Sequence, residues 1–286
     1  MNRLIVFLLS AALWASFHGG PGEAEAKSFA LDVPYEPTSY GIARAMLELA
    51  GVASGDLVYD LGCGDGRLVI LAAKERGATG VGVDLDPQRI RESRENARIA
   101  GVADRVRFFE QNLFATDFSR ASVVMLYLYP EVNLRLRPKL LKDLRPGTRI
   151  VSHSHSMGDW EEDATWRIEG HYVRFFVVPA NASGTWTWAE PGGQAFSLSL
   201  TQKYQRVKGT LSVGDETYPL AECSLRGSRL RLTVDRLVRG RWETFFFEGE
   251  IDGDTIRGRI ASGGTREKTE PWQAVREPGT LSSIAD

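Results

Sequence analysis

The sequence predicts two successive folds, a doubly wound and mostly parallel α/β sheet followed by a small antiparallel β barrel or sandwich. Up to about residue 178, short apolar segments alternate with amphipathic helical segments, which is typical of parallel strands connected by helices. From residue 184 onward, apolar residues instead recur at every second position, as in Trp186-x-Trp188. This spacing indicates antiparallel strands with one buried face. We therefore expect an α/β domain over residues 27–181 and a β domain over residues 182–286.

The first predicted strand ends in a turn that is rich in glycine. Within residues 58–67, Gly62, Gly64 and Gly66 stand at every second position. Glycine has no Cβ, so it allows positive φ and lets a ligand approach the backbone closely. The G-x-G-x-x-G fingerprint of dinucleotide-binding proteins would place its third small residue where Arg67 stands. The turn instead resembles motif I of class I S-adenosylmethionine (SAM) methyltransferases.

Polar residues at the ends of the next two predicted strands favour the same cofactor. Asp84 ends the second strand, where a carboxylate can accept hydrogen bonds from both ribose hydroxyls of an adenosyl ligand. After the third strand, class I methyltransferases usually carry an acidic residue beside the adenine amine. Asn112 stands there, and its amide oxygen can accept a hydrogen bond without a charge. We predict SAM as the cofactor. The residues of this part that we expect to bind it are Asp60, Gly62, Cys63, Gly64, Asp84, Asn112 and Leu113.

Two tyrosines at the end of the fourth predicted strand are candidates for the acceptor side. Residues 122–130 form a nearly continuous apolar run, and a strand period of two places Tyr127 and Tyr129 on one side. Class I enzymes commonly place their acceptor-side motif at this point. Aromatic faces stabilise cationic sulfonium or ammonium groups, and a desolvating pocket promotes the loss of a proton from a lysine amine. The alternative is that one or both rings simply pack under a helix.

Residues 31–160 also resemble a narrower group, the lysine methyltransferases of the ATP synthase c-subunit type and their bacterial relatives. The resemblance rests on Pro34-Tyr35-x-Pro37-Thr38, the glycine turn, Asp84, Asn96-Ala97 and residues 136–147. It implies a Rossmann-like domain, SAM as the methyl donor and a lysine side chain as the acceptor. It also implies that Tyr35 and Thr38 border the cofactor. Glu36 departs from the expected apolar residue, and it is either a catalytic group that faces the acceptor or a surface carboxylate.

The composition argues against other classes of partner. The chain has 286 residues, 43% of them hydrophobic and 25% charged, and its formal net charge is −2. Nucleic-acid binding usually needs a clustered cationic surface, so we expect a protein or a small molecule as the methyl acceptor. The two cysteines do not form a disulfide framework. His153 and His155 share a strand face, but two histidines without a third ligand do not predict a metal site.

The first 26 residues have the order of a secretory signal. Arg3 precedes an apolar run over residues 4–17, and Ala24-Glu25-Ala26 follows as a candidate cleavage site. A membrane-spanning helix needs about 20 apolar residues, so the run is short for one, although an uncleaved membrane anchor is the alternative. We expect an exported, periplasmic protein, with membrane contact left open. SAM is made in the cytosol, and nothing in the sequence explains its supply elsewhere.

Two functions remain open. The first is a SAM-dependent methyltransferase that acts on an amine, such as a protein lysine, or on another small nucleophile. The second is an exported protein that binds SAM or a related nucleotide without turnover and uses the β domain as a binding module. Intact Asp60, Gly62, Gly64 and Asp84 favour the enzyme. The β domain, lipocalin-like in outline, is expected to bury its own core, to fold alone and to serve in recognition.

Overall fold

The computed structural model describes residues 35–263 and 269–284. The predicted signal segment and Pro34 therefore lie outside the described residues. Within the described ranges, fifteen strands and four α-helices follow one another along the chain. None of the helices in these ranges has both the length and the apolar character that are needed to cross a membrane.

A seven-stranded sheet forms the first part of the structure. Its strands are β1 (Leu57–Leu61), β2 (Thr79–Asp84), β3 (Val106–Glu110), β4 (Val123–Leu126), β5 (Arg149–His153), β6 (Ala164–Ile168) and β7 (His171–Val177). They are arranged in the order β3-β2-β1-β4-β5-β7-β6. The first five strands pair in parallel, and β7 pairs antiparallel with both β5 and β6. The predicted doubly wound, mostly parallel sheet is therefore confirmed.

Helices cover both faces of this sheet. They are α1 (Tyr40–Leu49), α2 (Arg67–Arg76), α3 (Pro87–Ala100) and α4 (Pro130–Asp143), with a short 3-10 helix at Leu113–Ala115. Met125 of β4 packs in the cluster that contains α1 and α2, whereas its neighbour Val124 packs in the cluster that contains α4. Because alternate residues of β4 face opposite helical layers, the whole strand is apolar.

The ends of α3 show why these boundaries could be predicted. The Asp86 side chain accepts a hydrogen bond from the Gln88 backbone N–H at 2.7 Å, and Pro87 occupies the first turn, where no N–H is needed. Gly101 follows the helix with φ of 73°, a left-handed conformation that glycine adopts without a steric penalty. The proline at 87 and the glycine at 101 thus predict the observed bounds of the helix.

The fourth strand is shorter than the sequence predicted. It ends at Leu126, so Tyr127 lies in the following loop and Tyr129 is the N-cap residue of α4. Strand periodicity therefore does not apply to the two tyrosines, because Pro130 opens the helix four residues after the strand ends. After β5, residues 154–163 run to β6 without a helix.

The last third of the described chain is a closed barrel of eight antiparallel strands. These are β8 (Gly184–Ala189), β9 (Ala195–Lys203), β10 (Arg206–Val213), β11 (Glu216–Arg226), β12 (Arg229–Val238), β13 (Arg241–Asp252), β14 (Thr255–Ser262) and β15 (Thr269–Arg276). Pairing of β15 with β8 closes the ring, so the fold is a barrel and not a sandwich. Alternating side chains such as Leu230, Leu232 and Val234 fill its interior.

On each side of the predicted domain boundary, some residues belong to the hydrophobic core of the other part. Ala180, which precedes β8, belongs to the hydrophobic core of the barrel. Tyr204, at the turn between β9 and β10, instead belongs to the core of the α/β part, together with Trp160 and Phe176. The described residues accordingly cluster into one compact unit. The boundary between residues 181 and 182 stays a prediction.

Candidate functional site

A cleft opens at the carboxyl ends of β1, β2 and β4. The strand order reverses between β1 and β4, and ligands bind at such a switch point in open α/β sheets. The cleft encloses about 1020 Å³, including the part open to solvent. It is lined by all the predicted site residues except Asn112, namely Tyr35, Glu36, Thr38, Asp60, Gly62, Cys63, Gly64, Asp84, Leu113, Tyr127 and Tyr129. The structure therefore brings together residues that are up to 94 positions apart in the chain, from Tyr35 to Tyr129.

The glycine turn needs its glycines for both conformation and space. Gly62, Gly64 and Gly66 have φ values of 90°, 51° and 80°. A Cβ on Gly64 would lie 2.5 Å from the ring of Tyr35, and one on Gly62 would lie 2.9 Å from Leu128. The N-terminus of α2, with the positive end of its dipole, follows Gly66 directly. The turn thus leaves room for a ligand against bare backbone.

Three carboxylates surround this turn. Asp60 is only 3% exposed, and its burial, together with the charges of Asp84 and Asp65, raises its pKa to about 8. Asp84 accepts hydrogen bonds from the backbone N–H groups of Gly64 and Asp86, both at 2.9 Å. Burial alone would raise the pKa of Asp65, but hydrogen bonds from Arg67 and its positive charge lower it overall. Burial and the two neighbouring carboxylates all raise the pKa of Asp60, so its charged form is disfavoured.

The residues present fit SAM as a ligand. Its sulfonium and ammonium groups are cations, which would relieve the unfavourable charge around Asp60. A carboxylate has about four lone-pair sites, so Asp84, with two of them used by the turn, can still accept hydrogen bonds from ribose hydroxyls. The glycine turn provides the close backbone approach. We call Asp60, Asp84, the glycine turn and Tyr35 the cofactor side of the cleft.

The structure places Asn112 outside the cleft and its neighbour Gln111 inside it. The Asn112 Oδ1 accepts a hydrogen bond from the Phe114 N–H at 2.8 Å and so caps the 3-10 helix. Gln111 lines the cleft, and its backbone N–H donates to the Asp84 carbonyl at 2.9 Å. Gln111, which directly follows the end of β3 at Glu110, is therefore the residue of this loop that lines the cleft beside Leu113. A role for Asn112 in cofactor binding stays a prediction.

Four side chains form what we call the acceptor end of the cleft: Glu36, Tyr127, Tyr129 and His155. Burial raises the pKa of Tyr127 to about 12, and a hydrogen bond with Glu36 and the charge of Glu36 add to this effect. The ring centroid of His155 lies 6.3 Å from that of Tyr127 and 6.2 Å from that of Tyr129. Burial lowers the pKa of His155, although the charges of Glu131 and Glu36 oppose it. Sequence reasoning missed His155 as a site residue.

A buried histidine, His153, packs against Tyr127 of the acceptor end. His153 is 2% exposed, its ring centroid lies 3.8 Å from that of Tyr127, and its Nδ1 is 3.0 Å from the Thr38 Oγ1. Burial and the nearby rings of His171 and His155 lower the pKa of His153 to about 4. The described ranges contain no group of three or more His, Cys, Asp or Glu that could hold a metal ion. His153 is therefore a neutral spacer between Thr38 and Tyr127 at neutral pH.

Known proteins resemble the part of the chain that carries this cleft. A family profile described as the ANTKMT methyltransferase domain matches residues 60–164. A protein-lysine N-methyltransferase of Saccharolobus islandicus is 42% identical over 156 residues, which cover 53% of this chain and 97% of that protein. Two lysine N-methyltransferases named for the ATP synthase c-subunit, from Xenopus laevis and Homo sapiens, are 33% and 32% identical and cover 46% of this chain. The chain spans only 58% and 55% of their lengths.

One solved structure extends the similarity to three dimensions. It is described as an RNA methyltransferase from Salinibacter ruber in complex with S-adenosyl-L-homocysteine, and it is 49% identical with a TM-score of 0.50. The similarity covers 50% of this chain and 94% of that one. S-adenosyl-L-homocysteine is what remains of SAM after methyl transfer, so this similarity agrees with the fit of SAM to the cleft. The family profile ends at residue 164, before the barrel begins.

Proposed function

Because this chain belongs to the family of SAM-dependent protein-lysine methyltransferases, we propose that its own methyl acceptor is a lysine side chain of a protein. The observation that carries the proposal is the acceptor end, where the carboxylate of Glu36 interacts with Tyr127 and the ring of Tyr129 lines the same cleft. A carboxylate attracts the lysine ammonium, and aromatic faces stabilise cations. Binding of SAM without turnover is not favoured.

The residues of the acceptor end have different roles in the proposed reaction. Bound SAM supplies a methyl group on a sulfonium, and transfer is an in-line displacement that needs the amine aligned at near-attack distance. With a pKa of about 12, the Tyr127 hydroxyl stays protonated and donates to Glu36, so it orients groups and does not act as a base. The cleft desolvates the arriving ammonium, which favours the loss of its proton to solvent, and His155, whose pKa is lowered by burial, stays uncharged beside it. The uncharged nitrogen is then the nucleophile.

RNA is the second acceptor to consider, because one similar structure is described as an RNA methyltransferase. Glu36 lines the acceptor end, and Glu131 is close enough to influence His155. These carboxylates repel a phosphate backbone, and the formal net charge of the chain is −2. Arg174 also lies near His155, but its guanidinium is paired with Glu162. The charges at this end favour an amine over a polyanion.

The acceptor class can be tested with labelled methyl groups. The purified protein is first titrated with SAM and S-adenosyl-L-homocysteine by calorimetry. It is then incubated with labelled SAM and an envelope extract, with and without nuclease or protease. We expect the label in protein, on lysine, and a strong decrease with Glu36→Gln but not with the surface variant Glu75→Gln, whose carboxylate pairs with Arg44. Label in RNA alone would overturn the proposal.

We further propose that the chain is exported and cut after Ala26. The support is the order of charge, apolar run and small-residue site in the first 26 residues, which lie outside the described ranges. Cell fractionation followed by N-terminal sequencing tests this proposal. Full-length protein in the cytosol would overturn it and would also remove the question of how SAM reaches the enzyme.

A further inference from the structure

The hairpin between β9 and β10 inserts a tyrosine from the barrel into the α/β part. Tyr204 stands at its turn with φ of 51°, and it is 2% exposed. Its ring stacks on Trp160, with 5.9 Å between centroids and 17° between planes. Its hydroxyl donates to the Asp159 Oδ1 at 2.8 Å. Trp160 in turn packs on Phe176 of β7, with centroids 5.2 Å apart. The hairpin thus reaches the core of the sheet.

Several polar side chains of the same hairpin contact one segment, residues 159–161. The Lys203 Nζ lies 2.8 Å from the Asp159 Oδ2. The Gln205 Nε2 donates to the Glu161 carbonyl at 2.7 Å, and the Arg206 Nε donates to the Glu161 Oε2 at 2.8 Å. Hydrogen bonds from Lys203, Tyr204 and Arg137 hold the pKa of Asp159 far below its usual range.

Helix α4 also contacts this segment, through Arg137. The Arg137 Nη1 donates to the Met157 carbonyl at 2.6 Å and to the Asp159 Oδ1 at 2.7 Å. The segment forms neither helix nor sheet of its own, apart from one bridge between Met157 and Trp160. Residues 157–161 therefore depend on the hairpin and on α4 for their conformation, whereas Ser152, Asn133 and Arg174 also bond the backbone of residues 154–156. His155, which lines the acceptor end, stands two residues before Met157.

We propose that the β9–β10 hairpin is a positioning element for the acceptor end, with Tyr204 acting on His155 through Asp159 and Trp160. This inference rests on the proposed function, and it gives the barrel a part in methyl transfer beyond recognition. The residues of the cofactor side lie on β1, β2 and the segment at Tyr35, and none of them contacts the hairpin through a hydrogen bond or ion pair between described residues. Loosening the hairpin should therefore impair methyl transfer without impairing SAM binding.

The test compares Tyr204→Leu and Tyr204→Phe with Tyr218→Phe in the full chain. Tyr218 is a matched control, because its hydroxyl also bonds a carboxylate, Glu216, but at the opposite end of β10. For Tyr204→Leu we expect kcat/KM for the protein acceptor to fall by about 10- to 100-fold, since small misplacements in an active site cost that much. The Kd for SAM should stay within about twofold. Tyr204→Phe keeps the ring and should lose less.

Hydrogen exchange gives a second readout that does not depend on activity. Amides of residues 154–161 should exchange faster in both Tyr204 variants and at the wild-type rate in Tyr218→Phe. If the wild type binds SAM but methylates no lysine, the proposed function fails. The exchange rates then still test the positioning role, and unchanged rates in the Tyr204 variants would overturn it. If Tyr204→Leu does not fold, Tyr204→Phe decides. A parallel loss of SAM affinity, or faster exchange with unchanged transfer, would each overturn the inference.

Discussion

Apart from Tyr35, the cofactor side of the cleft comes from one strand-turn-helix unit and the strand beside it, whereas the acceptor end is assembled from distant segments. Asp60 and the glycine turn lie within one strand-turn-helix unit, and Asp84 ends the adjacent strand. Glu36 comes from the segment before α1, Tyr127 and Tyr129 from the loop after β4, and His155 from the loop after β5. Local geometry therefore fixes the cofactor side, while tertiary contacts fix the acceptor end. The two ends should respond differently to substitution.

The largest effect is expected at Gly64. With φ of 51° and a Cβ only 2.5 Å from the Tyr35 ring, Gly64→Ala both strains the backbone and forces the Tyr35 side chain to move. Left-handed backbone costs a non-glycine residue roughly 1–2 kcal/mol before the steric overlap is added. We expect the SAM affinity, measured by calorimetry, to fall by about 100-fold or more, which corresponds to about 3 kcal/mol.

Gly101→Ala is the matched control for strain alone. Gly101 has φ of 73°, and nothing lies within 4 Å of the place its Cβ would take. This variant should lose stability but keep its SAM affinity. Equal SAM affinities of Gly64→Ala and the wild type would show that the turn does not cradle the cofactor.

The next effect concerns Asp84. Its carboxylate bonds the Gly64 and Asp86 N–H groups and has lone pairs left for a ligand. We expect Asp84→Ala to weaken SAM binding by about 1.5–3 kcal/mol, the usual contribution of a hydrogen bond to a charged group. Calorimetry measures the change. Glu36→Gln, at the acceptor end, should leave the same affinity almost unchanged. Unchanged affinity in Asp84→Ala would remove this residue from the site.

The affinity for SAM should depend on pH through Asp60 of the cofactor side and not through the residues of the acceptor end. In the free protein Asp60 keeps its proton up to about pH 8, and a cationic ligand favours its carboxylate. Binding then releases a proton, so the affinity for SAM rises with pH by at most about tenfold per unit and levels off above pH 8. The pKa of Tyr127 lies far above this range and that of His155 is lowered.

Asp60→Asn separates this effect from the titration of SAM itself. The variant cannot release a proton from position 60, so its affinity should change less with pH than that of the wild type. The difference between the two curves is measured by calorimetry from about pH 6 to about pH 9, a window that brackets the raised pKa of Asp60. Parallel curves for the two proteins would contradict a protonated Asp60 in the free state.

The same contrast explains what could be predicted from the sequence. The bounds of helices α2 and α3 can be predicted, because caps and glycines within a few residues determine them. His155 was missed as a site residue because residues 154–163 have no periodic pattern, and contacts with Ser152, Arg174, Arg137 and the β9–β10 hairpin fix their course. Closure of the barrel was likewise left open, since alternation predicts strands but not the pairing of β15 with β8.

The contacts across the boundary between the two folds could likewise not be predicted from local sequence patterns. The sequence places every cofactor motif before residue 181 and alternating strands after it, so separate folding was the natural expectation. The structure instead buries Tyr204 of the barrel among Trp160 and Phe176. A barrel expressed from Gly184 would expose this ring, and an α/β part expressed alone would leave a cavity beside Trp160. Each part alone should therefore be less stable than the prediction from strand patterns implies.

The smallest effect is expected behind the acceptor end, at His153. Its pKa is lowered to about 4 in the folded protein, whereas an unfolded histidine titrates near 6.5. The unfolded state therefore binds more protons between these values, and stability is lost as the pH falls through this window. At about pH 5.5 the loss should be about 1 kcal/mol relative to neutral pH.

His153→Asn should flatten the dependence of the Tm on pH, whatever its stability at neutral pH. His155 contributes in the same direction, so His155→Asn serves as the comparison and should remove a smaller share. An unchanged pH slope in His153→Asn would contradict a neutral, buried imidazole behind Tyr127.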